Sequence, residues 1–144
     1  MNGRQIKQDI IFILLYIMLE KKDLHCVMHT HEPMSQTIAA LKEKVVPMFQ
    51  EACQLYERVG YHDFEGIVLD SSEKKRLIKS LGKSNHTLVL RNHGLITAGP
   101  SAIWAFARHQ VFIRSAEVQR SGILSGQLIG DCWISLTLVG KNKF

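Results

Sequence analysis

The chain has 144 residues, 46% of them hydrophobic, which is enough apolar material for the core of one domain but not of two. Its formal net charge is +5, but no basic motif interleaved with aromatic residues accompanies that charge, so a small anionic molecule is a better expected partner than a nucleic acid. Cys26, Cys53 and Cys132 are widely spaced and include no CxxC pair, so we expect free thiols in a reducing compartment, the cytoplasm.

An entirely apolar run extends from Ile10 to Leu19. Its ten residues are too few to cross a bilayer. Residues 20–23 are charged and follow the run directly, with no small-residue cleavage site of the kind that ends a secretory signal. We therefore predict a buried helix, with a membrane anchor as the alternative, and treat residues 1–22 as an apolar helical lead-in.

Strands and helices are predicted to alternate over the next part of the chain. Leu24 to Thr30 has the composition of a short buried strand. Val45 to Phe49 is predicted as another strand, and Glu51 to Arg58 as a short helix that ends before Gly60. Pro33 suits the first turn of a helix whose apolar residues recur at helical spacing, namely Met34, Ile38, Leu41 and Val45.

The middle of the chain carries a turn and a well-marked helix. Tyr61 to Gly66 is polar and turn-like, and Ile67 to Leu69 is predicted as a brief strand. Asp70 with Glu73 three residues later resembles a capping box, which opens a helix that Gly82 ends. The buried side of this helix is predicted to consist of Leu77, Ile78 and Leu81.

A predicted hairpin and a long helix follow. His86 to Arg91 and Leu95 to Ala98 are strands on either side of the tight turn Asn92-His93-Gly94. Ser101 to Gln119 is predicted as the longest helix, ended by Ser121-Gly122. Strands that alternate with helices in this way predict an α/β layered domain.

Three histidines are the candidate metal ligands. Residues two apart on a strand point to the same face, so His29 and His31 can present their imidazoles to one ion. His25 lies roughly 13 Å from His29 at about 3.3 Å per residue, which is beyond coordination distance. His93 occupies the turn before Gly94 and is the third candidate. Three protein ligands with a fourth position open are typical of a catalytic zinc site, and the alternative is a half-buried strand with a turn histidine that bonds locally.

Four motifs, taken together and in order, carry a resemblance to a known family. They are CVMHTH at Cys26 to His31, YHDFEGIVLD at Tyr61 to Asp70, LVLRNHGLITAG at Leu88 to Gly99, and EVQ at Glu117 to Gln119. This set resembles the class II aldolase/adducin family, and its adducin-like branch most closely. The resemblance extends over residues 23–126, and residues 127–144 form a tail to which we assign no structure.

The resemblance implies a three-layer α/β/α sandwich around a central mixed sheet, in an oligomer of identical chains. The metal histidines of the family match His29, His31 and His93, and the bound ion in its aldolases is usually zinc. There the ion chelates a hydroxyl and a carbonyl oxygen of a ketose phosphate, and a glutamate upstream of the His-Thr-His run serves as acid and base.

This sequence departs from the aldolase pattern at that glutamate and at the phosphate-binding loops. The glutamate position falls near Ile10, with Asp9 as a neighbouring carboxylate, and no Gly- and Ser-rich loops precede His29. No catalytic residue is assigned. The candidate substitutes for the base are Glu32, His62, Asp63, Glu65 and Glu117.

Two functions therefore stay open. The first is a metal-dependent aldehyde-lyase that acts on a small hydroxy-carbonyl compound or sugar phosphate. The second is a non-catalytic assembly module like that of the adducins, which are cytoskeletal proteins, and the missing glutamate and phosphate loops favour it. A shared fold does not decide between them.

Overall fold

The computed structural model describes residues 3–65 and 71–125, and its elements alternate as an α/β domain does. In chain order they are helix α1 (Gly3–Glu20), strand β1 (Cys26–Thr30), helix α2 (Pro33–Ala40), a 3₁₀ helix (Glu51–Leu55), strand β2 (Val59–His62), helix α3 (Ser71–Leu81), strand β3 (Thr87–Leu90), strand β4 (Gly94–Gly99) and helix α4 (Ala102–Ser125).

The four strands form one mixed sheet in the order β1-β4-β3-β2. β3 and β4 pair antiparallel across residues 91–93, which confirms the predicted hairpin. β4 also pairs antiparallel with β1, and β2 runs parallel to β3. As a consequence, the carboxyl ends of β1, β2 and β3 and the start of β4 all lie at the same end of the sheet.

Helices α1 and α3 cover one face of the sheet. Ile13 and Ile17 of α1 and Leu77 and Leu81 of α3 are buried against the face that carries alternate strand residues. Those strand residues are Leu88, Leu90, Ile96 and Ala98, with Val27 of β1 beside them.

Helices α2 and α4 cover the opposite face. Ile38 of α2 and Phe112 of α4, both fully buried, pack against the intervening strand residues Val89 and Leu95. Helices on both sides of a mixed sheet confirm the predicted three-layer α/β/α sandwich.

The apolar run at Ile10 to Leu19 lies inside α1, as predicted for a buried helix, and the helix extends well beyond that run in the amino-terminal direction. Ile13 and Ile17 contribute to the core, whereas Ile11 and Leu19 are exposed. Over the described part of the chain, no helix combines the length and the hydropathy that a bilayer crossing requires.

The predicted strand Val45–Phe49 is wrong, because this segment has no regular secondary structure. Its backbone N–H groups bond to side chains and not to a neighbouring strand. The N–H of Val45 donates to the Tyr61 hydroxyl at 2.8 Å, and the N–H of Val46 donates to the Gln119 side-chain oxygen at 2.8 Å. Pro47 has no N–H to give to a neighbouring strand.

Several element bounds also differ from the predictions. The polar turn predicted at Tyr61 to Gly66 begins inside β2, because Tyr61 and His62 pair with Val89 and Leu90. The helix predicted over Glu51 to Arg58 is a five-residue 3₁₀ helix. α4 continues through Gly122 to Ser125, since a single glycine costs a helix only about 1 kcal/mol.

Some predictions fall on residues outside the described part. They are the strand at residues 67–69, the cap at residue 70 and the tail at 127–144. The division into residues 1–22, 23–126 and 127–144 stays a prediction. The helix predicted before Gly82 is confirmed as α3, with Leu77 and Leu81 buried.

Candidate metal centre

His29 lies on β1 and is oriented by the neighbouring strand. Its Nδ1 is 3.0 Å from the carbonyl oxygen of Leu95 on β4, so Nδ1 carries the proton and donates to that oxygen. The Nε2 atom then carries the lone pair of the neutral ring and lies 2.9 Å from Nε2 of His31. This is how metal-binding histidines are commonly held, with one ring nitrogen tied to a carbonyl and the other open to an ion.

His31 lies one residue beyond the end of β1 and is exposed to solvent. Its Nε2 is 2.9 Å from Nε2 of His29. The two histidines flank Thr30, as the His-Thr-His spacing predicts for ligands on one side of an extended chain.

His93 reaches the same point from the turn between β3 and β4. The backbone of the preceding residue, Asn92, has a φ of 55°, and the N–H of His93 donates to the Leu90 carbonyl at 3.1 Å. Gly94 permits the close approach of this turn to β1, because a Cβ there would lie 2.4 Å from the Thr30 carbonyl oxygen and 3.0 Å from Cδ2 of His31.

The three rings form a compact triangle. Ring centroids are 4.8 Å apart for His29 and His31, 5.0 Å for His29 and His93, and 4.7 Å for His31 and His93. One ligand nitrogen from each ring lies within 4.8 Å of the other two. Nitrogens at 2.0–2.1 Å from a tetrahedral zinc ion are separated by roughly 3.3 Å, so small side-chain movements fit these imidazoles to such an ion.

The local environment favours neutral imidazoles at His29 and His93. The pKa of His29 is lowered to about 4. Burial is the largest cause, the Leu95 hydrogen bond opposes it to a smaller extent, and His93 and His31 also contribute to the lowering. Burial, followed by the proximity of His31, also lowers the pKa of His93. At neutral pH these rings therefore have lone pairs available for a cation, and few protons compete with it.

No carboxylate of the described residues joins this cluster. Glu32 follows His31 directly, but its side chain caps α2 by accepting hydrogen bonds from the backbone N–H groups of Met34 at 2.9 Å and Ser35 at 3.1 Å. Its Oε2 is therefore occupied at the helix terminus, where negative charge is also stabilised by the helix dipole.

The other carboxylates considered as bases lie elsewhere. Glu65 forms an ion pair with Arg76, whose Nε is 3.0 Å from both carboxylate oxygens. Asp63 is exposed after β2, and Glu117 is exposed on α4. Residue 9 belongs to α1, and the structure describes its backbone but not its side chain.

His62 is buried at the end of β2, not solvated in a turn. Its Nδ1 is 3.0 Å from the Ser80 hydroxyl of α3, and among the described residues its Nε2 has no hydrogen-bond partner. The Glu65 carboxylate is 3.8 Å from that Nε2. Burial lowers the pKa of His62, with Glu65 opposing it. His62 is thus a buried imidazole at the end of the sheet where β1, β2 and β3 terminate.

Sequence reasoning missed two residues that support the histidine cluster. His109 of α4 is 5% exposed, and its Nε2 is 2.9 Å from the hydroxyl of Thr30, the residue between His29 and His31. Helical periodicity was the available signal, because the buried side of α4 includes Ala105, His109, Phe112, Ala116 and Gln119.

Arg91 ties the His93 turn to the end of α2. Its guanidinium donates to the carbonyls of Ile38 and Leu41, and it lies over the Tyr61 ring at 4.7 Å from the centroid. The N–H of Asn92 donates to the Ala39 carbonyl at 3.0 Å. These bonds satisfy carbonyls that a helix terminus leaves unpaired, and they fix the turn that carries His93.

The fold and the histidine cluster define the class of protein: a three-layer α/β/α domain with three imidazoles converging at strand ends. The profile of the class II aldolase and adducin N-terminal domain matches residues 6–120. The chain belongs to the class II aldolase and adducin family.

Relatives by sequence include adducins. Rat (Rattus norvegicus) alpha-adducin is 37% identical over 99 residues, which cover 69% of this chain and 13% of that protein. An adducin-related protein of Schizosaccharomyces pombe is 32% identical over 111 residues, 77% of this chain and 33% of that protein. The chain therefore spans only a minor part of these relatives.

Solved structures show the same fold. An aldolase II superfamily protein from Pseudomonas syringae superposes with a TM-score of 0.79 at 27% identity, covering 91% of this chain and 54% of that one. The L-fuculose 1-phosphate aldolase from Glaciozyma antarctica superposes with a TM-score of 0.73 at 21% identity, covering 91% of this chain and 49% of that one.

Proposed function

We propose that His29, His31 and His93 bind one divalent transition-metal ion, zinc in the first instance, and that the domain uses it as an aldehyde-lyase. One observation carries the proposal: three imidazoles from two separate segments converge within 4.8 Å, and one of them is exposed. Three protein ligands leave the fourth position of a tetrahedral ion open, as in catalytic zinc sites, and the exposure of His31 places the cluster within reach of a substrate from solvent.

A zinc ion held there would supply Lewis-acid polarisation of a substrate carbonyl. The chain's own residues do the rest of the positioning. Leu95 holds the tautomer of His29, and Gly94 brings the His93 turn against β1. The substrate class is a small hydroxylated aldehyde or ketone, including sugar phosphates, which the net charge of +5 also suits. The name of the Glaciozyma structure, an L-fuculose 1-phosphate aldolase, supports this class.

The test measures metal and activity on the same samples. Protein purified after growth with zinc is expected to hold about one equivalent per chain, and His93→Ala to lose it. His25→Ala is the matched control, since His25 is an exposed histidine just before β1 and outside the cluster. Aldol cleavage of a panel of ketose phosphates should follow the metal content. Zinc binding that survives His93→Ala unchanged would refute the site.

A second function is a non-catalytic assembly module. One specific observation favours it: no carboxylate of the described residues lies in the histidine cluster, where a lyase would need an acid and base. The 37% identity to alpha-adducin supports the same alternative, with an oligomer of identical chains or a cytoskeletal protein as partner. It predicts self-association, by sedimentation, that survives His29→Ala and His31→Ala. Aldol cleavage abolished by those two substitutions would exclude it.

The cytoplasm is the proposed location for either function. Both cysteines in the described residues, Cys26 and Cys53, are free thiols, and free thiols persist in a reducing compartment.

A further inference from the structure

The His-Thr-His segment lies where the sheet gives it little support. Among the described strands, β1 lies at the edge of the sheet and pairs with β4 alone. Its ladder ends at the pair formed by Thr30 and Leu95, so His31 lies one residue beyond the last pair. The sheet therefore fixes the backbone of His29 but leaves the direction of the chain after Thr30 to other contacts.

Thr30 has such a contact on the face opposite to His29. Its hydroxyl is 2.9 Å from Nε2 of His109, a buried side chain of α4. α4 is itself fastened to β4, because the Thr97 hydroxyl donates to the Ala105 carbonyl at 3.0 Å and Arg108 donates to the Ala98 carbonyl. The bond to His109 thus connects the end of an edge strand to a firmly packed helix.

We propose that the hydrogen bond between Thr30 and His109 sets the separation of the His29 and His31 imidazoles, and that His109 and Thr30 are positioning residues of the metal site. The inference rests on the proposed function. Rotation of the backbone at Thr30 swings His31 relative to His29, since the two histidines flank it. The bond restrains that rotation from the side of the sheet that carries no ligand.

A purely structural role for the same bond predicts something different. Loss of a buried hydrogen bond would then lower the stability of the metal-free protein, while metal affinity and coordination geometry stay as they were. A positioning role changes affinity and geometry, because supporting partners of metal ligands commonly contribute 10–100-fold in affinity. The two roles are separable by measuring both properties.

The experiment uses the full chain and five variants. Thr30→Val removes the hydroxyl at nearly constant volume, and Thr30→Ser retains it. His109→Leu removes the ring nitrogen from the other side, and the double variant Thr30→Val with His109→Leu completes a thermodynamic cycle. Ser115→Ala is the matched control, because the Ser115 hydroxyl is buried on the same helix and, among the residues that the structure describes, bonds only within that helix, to the Val111 carbonyl at 2.7 Å.

Zinc affinity is measured by competition with a chromophoric chelator, and geometry by the visible spectrum of the cobalt-loaded protein. We expect about a tenfold weaker affinity and a shifted cobalt spectrum in each single variant, no further loss in the double variant, and wild-type behaviour in Thr30→Ser and Ser115→Ala. Unchanged affinity and spectrum in Thr30→Val and His109→Leu, with the wild type binding zinc, would overturn this inference alone. Absence of zinc binding by the wild type would overturn the proposed function and the inference with it.

Discussion

The Nδ1–H of His29 donates a 3.0 Å hydrogen bond to the carbonyl oxygen of Leu95 on the adjacent strand. This bond fixes the tautomer of the imidazole and leaves Nε2 as the electron-pair donor, 2.9 Å from Nε2 of His31. The same backbone pairing that builds the sheet therefore also orients a candidate ligand.

Acid should destabilise the metal-free protein partly through His29. Burial lowers the pKa of His29 to about 4, while the unfolded chain binds the proton near pH 6.5. The stabilisation is present above pH 6.5 and is lost as the pH falls towards 4, because only the unfolded state takes up the proton in that interval. With solvent screening, we expect His29 to account for roughly 2 kcal/mol of the fall in the free energy of unfolding between pH 7 and pH 4.

Urea denaturation across this pH range, with a chelator present, measures that contribution. In His29→Gln the free energy of unfolding should fall less between pH 7 and pH 4, by the amount that His29 contributes in the wild type. The other histidines whose pKa values are lowered by burial account for the rest of the fall. Those histidines are His62, His86, His93 and His109. Identical slopes in the wild type and His29→Gln would show that His29 titrates normally in the folded protein.

Gly94→Ala should damage the fold and the metal site together. The added Cβ would lie 2.4 Å from the Thr30 carbonyl oxygen and 3.0 Å from the His31 ring, so β1 must move away from the His93 turn. We expect a loss of about 2–3 kcal/mol in the free energy of unfolding and at least tenfold weaker zinc binding.

Gly82→Ala is the comparison for that variant. Gly82 has a φ of 77°, and a Cβ there would make only ordinary van der Waals contact with the Asn85 side chain, 3.4 Å away, so alanine costs only about 1–2 kcal/mol of backbone strain. Its zinc affinity should equal that of the wild type. Equal zinc affinities in the two variants would mean that the close approach at Gly94 has no part in the metal site.

Glu32→Ala should cost about 1 kcal/mol of stability, because α2 loses its N-cap. The carboxylate is engaged by the backbone N–H groups of Met34 and Ser35, so neither zinc affinity nor any lyase rate should change more than twofold. Thermal denaturation and metal titration check the two expectations. A lyase rate reduced a hundredfold or more at unchanged zinc content would instead identify Glu32 as the missing base.

Arg91→Met should destabilise the protein by about 2–3 kcal/mol, measured by urea denaturation. The substitution removes the charged donors to the α2 carbonyls and the stacking on Tyr61. Arg114→Met is the control: this exposed arginine of α4 lies over the Phe49 ring at 5.8 Å and should contribute about 0.5 kcal/mol or less. Equal losses in the two variants would contradict the role assigned to Arg91.

Local sequence patterns correctly predicted those elements whose structure is determined by residues within the element itself. The hairpin followed from alternating residues on both sides of Asn92-His93-Gly94, and α3 from the spacing of Leu77 and Leu81. The convergence of His93 with His29 and His31 followed from the family resemblance, because spacing within one strand says nothing about a turn more than sixty residues away.

Other features depend on contacts between distant segments. Val45 to Phe49 has strand composition, yet Tyr61 and Gln119 take its backbone donors. The role of Glu32 as a helix cap and the burial of His62 beneath α3 likewise follow from tertiary neighbours. The bond between Thr30 and His109 joins two segments that no motif connects.

The stoichiometry and affinity of zinc in the wild type, measured together with His29→Ala, His31→Ala and His93→Ala, test the central claim most directly. The account predicts about one equivalent per chain in the wild type and in His25→Ala, and an affinity at least a hundredfold weaker in each of the three cluster variants. A wild-type protein that takes up no zinc, cobalt or other divalent ion at neutral pH would contradict it.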